Sequence, residues 1–311
     1  MKAYANRHPG QAKGAPRPWR MLGVTGAWGL CFLAIRLGLQ DAPILWFATL
    51  RALFAAAALL MVCQIQGRGL PRGRGTWTLI ALMGFTNVTV AFAAMFAGTA
   101  GMTIGAAAVL ANAQPLMIIL PAWWLYGESL SSRTVLAVSI GFAGLLAVGL
   151  SSGGGSGAGL SLLAAAAVTA GTLLARSLAG TDLVAASAWH FLIGGVLLAV
   201  MAAIAEPAPV IHWTPRFLGS LLFLSLVGTA AAFLVWFIEA GRSRLDLLTA
   251  WTMLVPVIGT VVSLFLPAEQ PPPFTLAGAA LVLVSLWMVH HRPGSRTAGT
   301  KDSDASGTTQ R

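Results

Sequence analysis

Apolar residues in this chain come in runs of about 20, the length a helix needs to cross a bilayer at a rise of 1.5 Å per residue. Ten such segments are predicted: 21–39, 43–65, 76–97, 102–125, 134–150, 159–178, 183–204, 217–238, 246–266 and 274–290. Turn-forming residues separate them. Gln66–Gly75 is rich in Gly, Arg and Pro, Ser151–Gly159 in Gly and Ser, and Glu206–Arg216 carries three prolines. Pro271–Pro273 end the ninth segment, while the breaks at 40–42 and 98–101 are short. Residues 1–20 read as a polar, basic, cytoplasmic tail, and 291–311 as a cytoplasmic tail of disordered composition. A basic stretch before an apolar run resembles a signal peptide. Segment 21–39 is long for one and no clear small-residue cleavage site follows, so it is predicted to be a retained first span.

Composition excludes a soluble fold. The AVILMFWYC class makes up 57% of the 311 residues and DEKR only 9%, against about 25% charged in an average globular protein. The net charge of +10, from 19 Lys and Arg against 9 Asp and Glu, would suggest nucleic acid in a soluble chain. Here the basic residues lie in tails and loops, where they meet anionic headgroups, so no nucleic-acid partner is expected. Cys31 and Cys63 fall inside apolar runs and read as packing residues. With a cytoplasmic N-terminus and ten spans, 16 of the 19 basic residues face inward, Arg216 faces outward, and Arg36 and Arg51 lie within spans. That bias predicts a plasma or inner membrane protein with both termini cytoplasmic.

Sliding the chain by 141 residues superposes Phe92 on Phe233, Phe96 on Phe237, Pro115 on Pro256, Leu125 on Leu266, Glu128 on Glu269 and Thr134 on Thr275. The Pro-x12-Glu-x5-Thr spacing uses residue types that membrane helices rarely carry. The shift covers five spans, an odd number, so the second copy enters the bilayer from the opposite side. Inverted repeats of this kind mark secondary transporters with a midplane site between the halves. The predicted class is therefore an all-α integral membrane protein of ten transmembrane helices, built as two inverted five-helix repeats at 21–150 and 159–290.

The run Trp28-Gly29-Leu30-Cys31-Phe32-Leu33-Ala34-Ile35-Arg36, then Pro43 and Arg51, resembles the opening of an EamA-type permease of the drug/metabolite transporter superfamily. Gln114-Pro115 with Leu125-Tyr126-Gly127-Glu128 resembles the end of its first repeat, and Val255-Pro256 to Glu269 the same place in the second. Pro267-Ala268-Glu269 departs from the usual Gly-Glu. The resemblance covers roughly 21–290. It implies ten helices in two inverted repeats and export of small metabolites such as amino acids, or of drugs.

A charge inside a span costs on the order of 2.5–3.5 kcal/mol on insertion scales, which makes such residues functional candidates. Arg51 lies about 12 Å into the second span and His190 about 10 Å into the seventh, at near-equivalent repeat positions. Both are expected to line one central cavity, Arg51 binding an anionic group such as a carboxylate and His190 binding substrate or relaying a proton. The competing reading has Arg51 snorkelling or bonding carbonyls and His190 as an interhelical donor. Trp28, Asn112, Gln114 and Trp251 complete the expected substrate-binding set. Pro115 and Pro256, in mid-span, are expected to kink their helices. Glu128 and Glu269 read as structural turn residues, Arg36 as an interface charge close to Asp41, and Glu239 with Asp246, Arg242 and Arg244 as a solvated ion-pair cluster. Gly141 and Gly144 permit close helix approach.

There is no P-loop, HExxH, paired-cysteine motif or GxSxG elbow. No enzyme activity, metal or cofactor is expected. A membrane-embedded enzyme or lipid-handling protein is the alternative to the transporter reading. The expected partners are a small-molecule substrate and the lipid bilayer, and a homodimer is left open.

Overall fold

The computed structural model describes residues 15–117, 121, 124, 132–151, 155–178, 180–243, 251–266 and 271–290, and every element among them is helical. Helix α1 (Pro18–Gly38) starts on a proline, whose missing N–H and fixed φ suit a first turn. Helix α2 (Ile44–Ile65) has no side-chain cap from its own N-cap residue. The amides of Leu45 and Trp46 instead donate to the Glu206 carboxylate at 2.9 and 3.2 Å, placing a negative group at the positive helix end. Helix α3 (Arg74–Ala100) is π-helical over Gly84–Val90. Helix α4 (Ile104–Ala111) is capped by the Thr103 hydroxyl, and a short helical piece follows at Gln114–Met117.

Helices α5 (Ser132–Ser151) and α6 (Ser156–Ala175) come next, and α6 ends in a 3-10 turn at Arg176–Leu178. Helix α7 (Leu183–Ala205) is capped by Asp182, whose carboxylate accepts the amides of Val184 and Ala185. Helix α8 opens as Pro215–Leu222, is π-helical over Phe223–Ala231 and finishes as Ala232–Arg242. A 3-10 turn at Trp251–Met253 leads into α9 (Leu254–Leu264), and α10 covers Pro273–His290.

Among the described residues, seven helices are long and apolar enough to cross a membrane, and Ile104–Met117, Trp251–Leu264 and Pro273–Met288 are shorter apolar helices. Each predicted segment thus overlaps apolar helix, and parts of the fourth and ninth, 118–120, 122–123, 125 and 246–250, lie outside the described residues. Large apolar side chains such as Leu146, Val200, Ile204 and Leu281 face outward, a perimeter that lipid solvates and water does not.

The two larger of three apolar clusters among the described residues fill the interior. One joins α1, α2, α3, α7 and α8 around Phe47, Phe92, Phe96, Phe191 and Phe217. The other joins α1, α4, α5, α6, α9 and α10 around Ile104, Leu110, Leu116 and Val255. With no water to drive helices together in a bilayer, close backbone contact has to hold them. At Gly144 a methyl group would lie 2.7 Å from the Gly278 carbonyl oxygen, so α5 and α10 meet through two glycines.

Polar contacts tie the helix ends. Where α1 begins, the near end of the bundle, Glu239 of α8 accepts from the Arg17 amide at 3.0 Å and from Arg20 Nη1 at 2.8 Å. Arg68, after α2, donates both to its neighbour Gln66 and to Asp182 before α7. At the far end, Asp41 accepts two bonds of 2.9 Å from Arg216 and one of 3.0 Å from Thr214.

One expectation is corrected here. Glu239 is fully buried rather than part of a solvated cluster, because it terminates α8 against the first residues of α1. Arg244 and Asp246 lie outside the described residues. Asp41 pairs with Arg216, not with Arg36, whose Nη1 turns to the carbonyls of Ala100 and Thr99 at 3.0 and 3.4 Å.

Candidate functional site

Arg51 is only 5% exposed, although it sits in the middle of an apolar helix. Its Nε donates to Thr229 Oγ1 of α8 at 3.2 Å, and its Nη2 lies 3.9 Å from Cys31 Sγ of α1. The guanidinium carbon is 4.4 Å from the centroid of Phe92 and 5.8 Å from that of Phe96, both on α3, within reach of a cation–π attraction. Its Nη1 has no hydrogen-bond partner among the described residues. The side chain therefore lies where three helices of the first half meet one of the second.

The local folding of α8 makes this possible. The Thr229 hydroxyl donates to the Leu224 carbonyl, five residues back, at 2.8 Å, within the π-helical stretch. That leaves the hydroxyl oxygen to accept from Arg51. Gly228, one residue earlier, leaves room for Cys31: a methyl group there would lie 2.6 Å from the sulfur.

A parallel arrangement occurs on the other side. His190 of α7 is 2% exposed. Its Nδ1 meets no partner in hydrogen-bond geometry, although the carbonyls of Ala186 and Ser187 are close. Its main chain packs on the π-helical stretch of α3, where a methyl group on Gly84 would lie 2.8 Å from the His190 carbonyl oxygen. Thr89, in that stretch, donates to the Gly194 carbonyl at 2.9 Å. The shift of 141 residues that relates the halves carries Gly84–Val90 onto 225–231, inside Phe223–Ala231. Each half thus sets a buried ionisable residue against the π-helical stretch of the other, Arg51 through its side chain and His190 through its main chain. Such stretches leave backbone groups off the regular ladder and occur often at functional sites.

An aromatic chain connects Arg51 to Trp28. Phe92 lies 6.0 Å from Phe191, Phe191 is perpendicular to Phe233 at 5.3 Å, and Trp28 stands 6.2 Å from Phe233 and 5.3 Å from Trp236. The remaining expected residues sit elsewhere. Asn112 ends α4 and donates to the Ala108 carbonyl at 2.7 Å, and Gln114 donates to Thr172 of α6 at 2.8 Å. Trp251 opens the turn before α9. No hydrogen bond or ring contact among the described residues joins these three to Arg51 or His190.

Pro115 is the second residue of Gln114–Met117, just after the interruption at Asn112 and Ala113. Pro256 is the third residue of α9, in the first turn, where its ring displaces no helical bond. Residues 118–120, which follow Pro115's helical piece, and 244–250, which precede Pro256's, lie outside the described residues. Glu128 and Glu269 lie outside the described residues.

A cavity of about 410 Å³ opens at the far end, lined by Arg36, Ala100, Gly101, Met102, Thr103, Ser151 and Pro272. Neither Arg51 nor His190 lines it. Ala100 is one turn of α3 from Phe96, whose ring faces the guanidinium. At the same end, the Arg216 hydrogen bonds hold the Asp41 carboxyl below its ordinary range, outweighing burial. Sequence reasoning missed Thr229, Cys31 and Phe92 as the surroundings of Arg51. The repeat had already flagged Phe92 and Phe233, and a threonine precedes each by three or four residues.

Known proteins share this architecture. The EamA-like transporter family matches residues 19–150 and again 155–290. A probable amino-acid metabolite efflux pump of Salmonella typhimurium is 27% identical, over 85% of this chain and 91% of its own. A probable terminal-alkyne amino-acid exporter of Streptantibioticus cattleyicolor is 26% identical, over 88% and 93%. A chloroplast WAT1-related protein of Arabidopsis thaliana is 28% identical, over 86% and 68%. One solved crystal structure superposes with a TM-score of 0.64, covering 87% of this chain and 95% of that one at 18% identity, which establishes a shared fold. With the family found in both halves and a perimeter suited to lipid, the chain belongs to the EamA-like transporter family and is a multi-pass membrane transporter of the drug/metabolite transporter superfamily.

Proposed function

We propose that this transporter exports small metabolites, amino acids or related compounds, across the plasma membrane by alternating access. The observation that carries the reading is the crossed placement of Arg51 and His190, each buried against the π-helical stretch of the opposite half. Motion of one half against the other changes both surroundings together, as a midplane site between inverted repeats requires. Ten spans, with both termini cytoplasmic, fit the distribution of basic residues. Arg51 and His190, with Trp28, Asn112, Gln114 and Trp251, form the substrate-binding set as the halves rearrange. The names of the exporters from Salmonella and Streptantibioticus support amino-acid chemistry and outward transport. With no nucleotide-binding loop in the sequence, the driving force is an ion or solute gradient.

The test is expression in a host sensitive to toxic amino acids and their analogues. Resistance to one chemical class, with lower intracellular accumulation, supports export. Full sensitivity from a host whose membrane contains the protein, with no saturable counterflow in liposomes, overturns it.

A further inference from the structure

Among the described residues, the buried charge that stands away from the helix ends is positive, on Arg51. The four described carboxylates, Asp41, Asp182, Glu206 and Glu239, stand at helix ends. Each is already held: by Arg216 and Thr214, by Arg68 and two amides, by the amides of Leu45 and Trp46, and by Arg20 with the Arg17 amide. Of the other five acidic residues, Glu128, Asp246 and Glu269 fall between the apolar segments or at their edges, and Asp302 and Asp304 in the C-terminal tail. Among the described residues, none of these carboxylates is bonded to Arg51 or His190.

Arg51 presents the opposite case. A guanidinium has five N–H donors and never deprotonates in a protein. Here Nε is satisfied by a neutral hydroxyl and one ring face by Phe92, while Nη2 has only a sulfur at 3.9 Å and Nη1 has no partner among the described residues. Nη1 and Nη2 make up the forked edge that donates to the two oxygens of a carboxylate side by side. A charged group held this deep by neutral partners is electrostatically incomplete, and the missing element is an anion. The far-end cavity wall at Ala100 lies one turn of α3 from Phe96, whose ring centroid is 5.8 Å from the guanidinium carbon.

We infer that Arg51 binds the carboxylate of the transported solute, so that the chain selects zwitterionic or anionic small molecules and rejects organic cations that lack a carboxylate. This rests on the transporter reading and assigns its substrate class.

The test uses the full chain in liposomes and counterflow of probes that differ only at the carboxyl group: phenylalanine, leucine and threonine against their amides, with phenethylamine as a bare cation. The expected result is saturable flux of at least one amino acid, with its amide and phenethylamine slower by about tenfold or more, the scale of a lost charge-assisted hydrogen bond. Arg51→Gln then abolishes the preference, and Arg51→Lys, which keeps the charge but not the fork, retains part of it. Amides and phenethylamine moving as fast as the amino acids would overturn the inference while leaving transport intact. Flux of none of the probes, or of any other solute in a broad panel, would overturn the transporter reading itself. The comparison of acid with amide uses the unaltered protein, so it stands even where a variant does not fold.

Discussion

The Nε of Arg51 and the hydroxyl of Thr229 meet at 3.2 Å, and that bond links the second helix of one half to the third helix of the other. Both partners are buried, and Thr229 also donates back into its own π-helical stretch. One hydroxyl thus closes the irregular turn of α8 and steadies the guanidinium. Breaking it alters both, which makes the contact sensitive to relative movement of the halves.

Thr229→Val removes the acceptor and the donor while keeping the shape. It leaves Arg51 Nε without its partner in the apolar interior, a loss of about 1–3 kcal/mol. The expected outcome is a lower melting temperature in detergent and a marked fall in flux, with Thr229→Ser close to the unaltered protein. Equal damage from serine and valine would show that the methyl group, and not the hydroxyl, matters.

Gly84 and Gly194 bring α3 and α7 into backbone contact. A methyl group on Gly84 would lie 2.8 Å from the His190 carbonyl oxygen and 3.0 Å from the Gly194 nitrogen. These are main-chain atoms and cannot swing aside. Gly84→Ala should therefore destabilise by about 1–3 kcal/mol, as overpacking does. Gly219→Ala is the control, since nothing lies within 4 Å of that position. It should be neutral or stabilising by about 0.5–1 kcal/mol, the helical preference for alanine. Melting curves of the two variants side by side decide the matter.

At the near end, Glu239 binds Arg20 and the Arg17 amide and so clamps α8 to α1. A state open at that end has to part them. Glu239→Gln should favour that state, seen as faster impermeant-maleimide labelling of a cysteine placed at the buried Thr25, in a background lacking Cys31 and Cys63. Arg20→Ala should reduce stability more, because it takes a guanidinium away from a fully buried carboxylate. The effect should fall short of the about 3–5 kcal/mol of a wholly buried pair, since Arg20 is 22% exposed. Unchanged labelling in Glu239→Gln would remove the clamp from the transport cycle.

Much of this was legible in the sequence. The apolar runs located the helices because a bilayer permits few other ways to satisfy a backbone. Basic loops and a shift of 141 residues revealed two related halves. The depth of Arg51 and His190 marked both as unusual. Side-chain pairing was not legible, since it depends on which helices cross: Asp41 lies five residues from Arg36 in the chain, yet its partner Arg216 comes from α8. The π-helical stretches were also hidden, because no proline marks Gly84–Val90 or Phe223–Ala231.

The far-end pair responds to acid in a direction its environment fixes. Hydrogen bonds from Arg216, against the opposing effect of burial, hold the Asp41 carboxyl below its ordinary value of 3.8. A carboxyl lowered in the folded state contributes stability that is fully present above its unfolded value and is lost as pH falls through the folded one. Thermal stability should therefore show no contribution from this pair to any change between neutral pH and about pH 5, then decline below about pH 4 as Asp41 protonates. Asp41→Asn should be less stable at neutral pH and should lack that part of the acid decline, so the two melting profiles converge in acid. Parallel profiles, offset by a constant amount down to the lowest pH, would show that the carboxylate charge does not hold this end together.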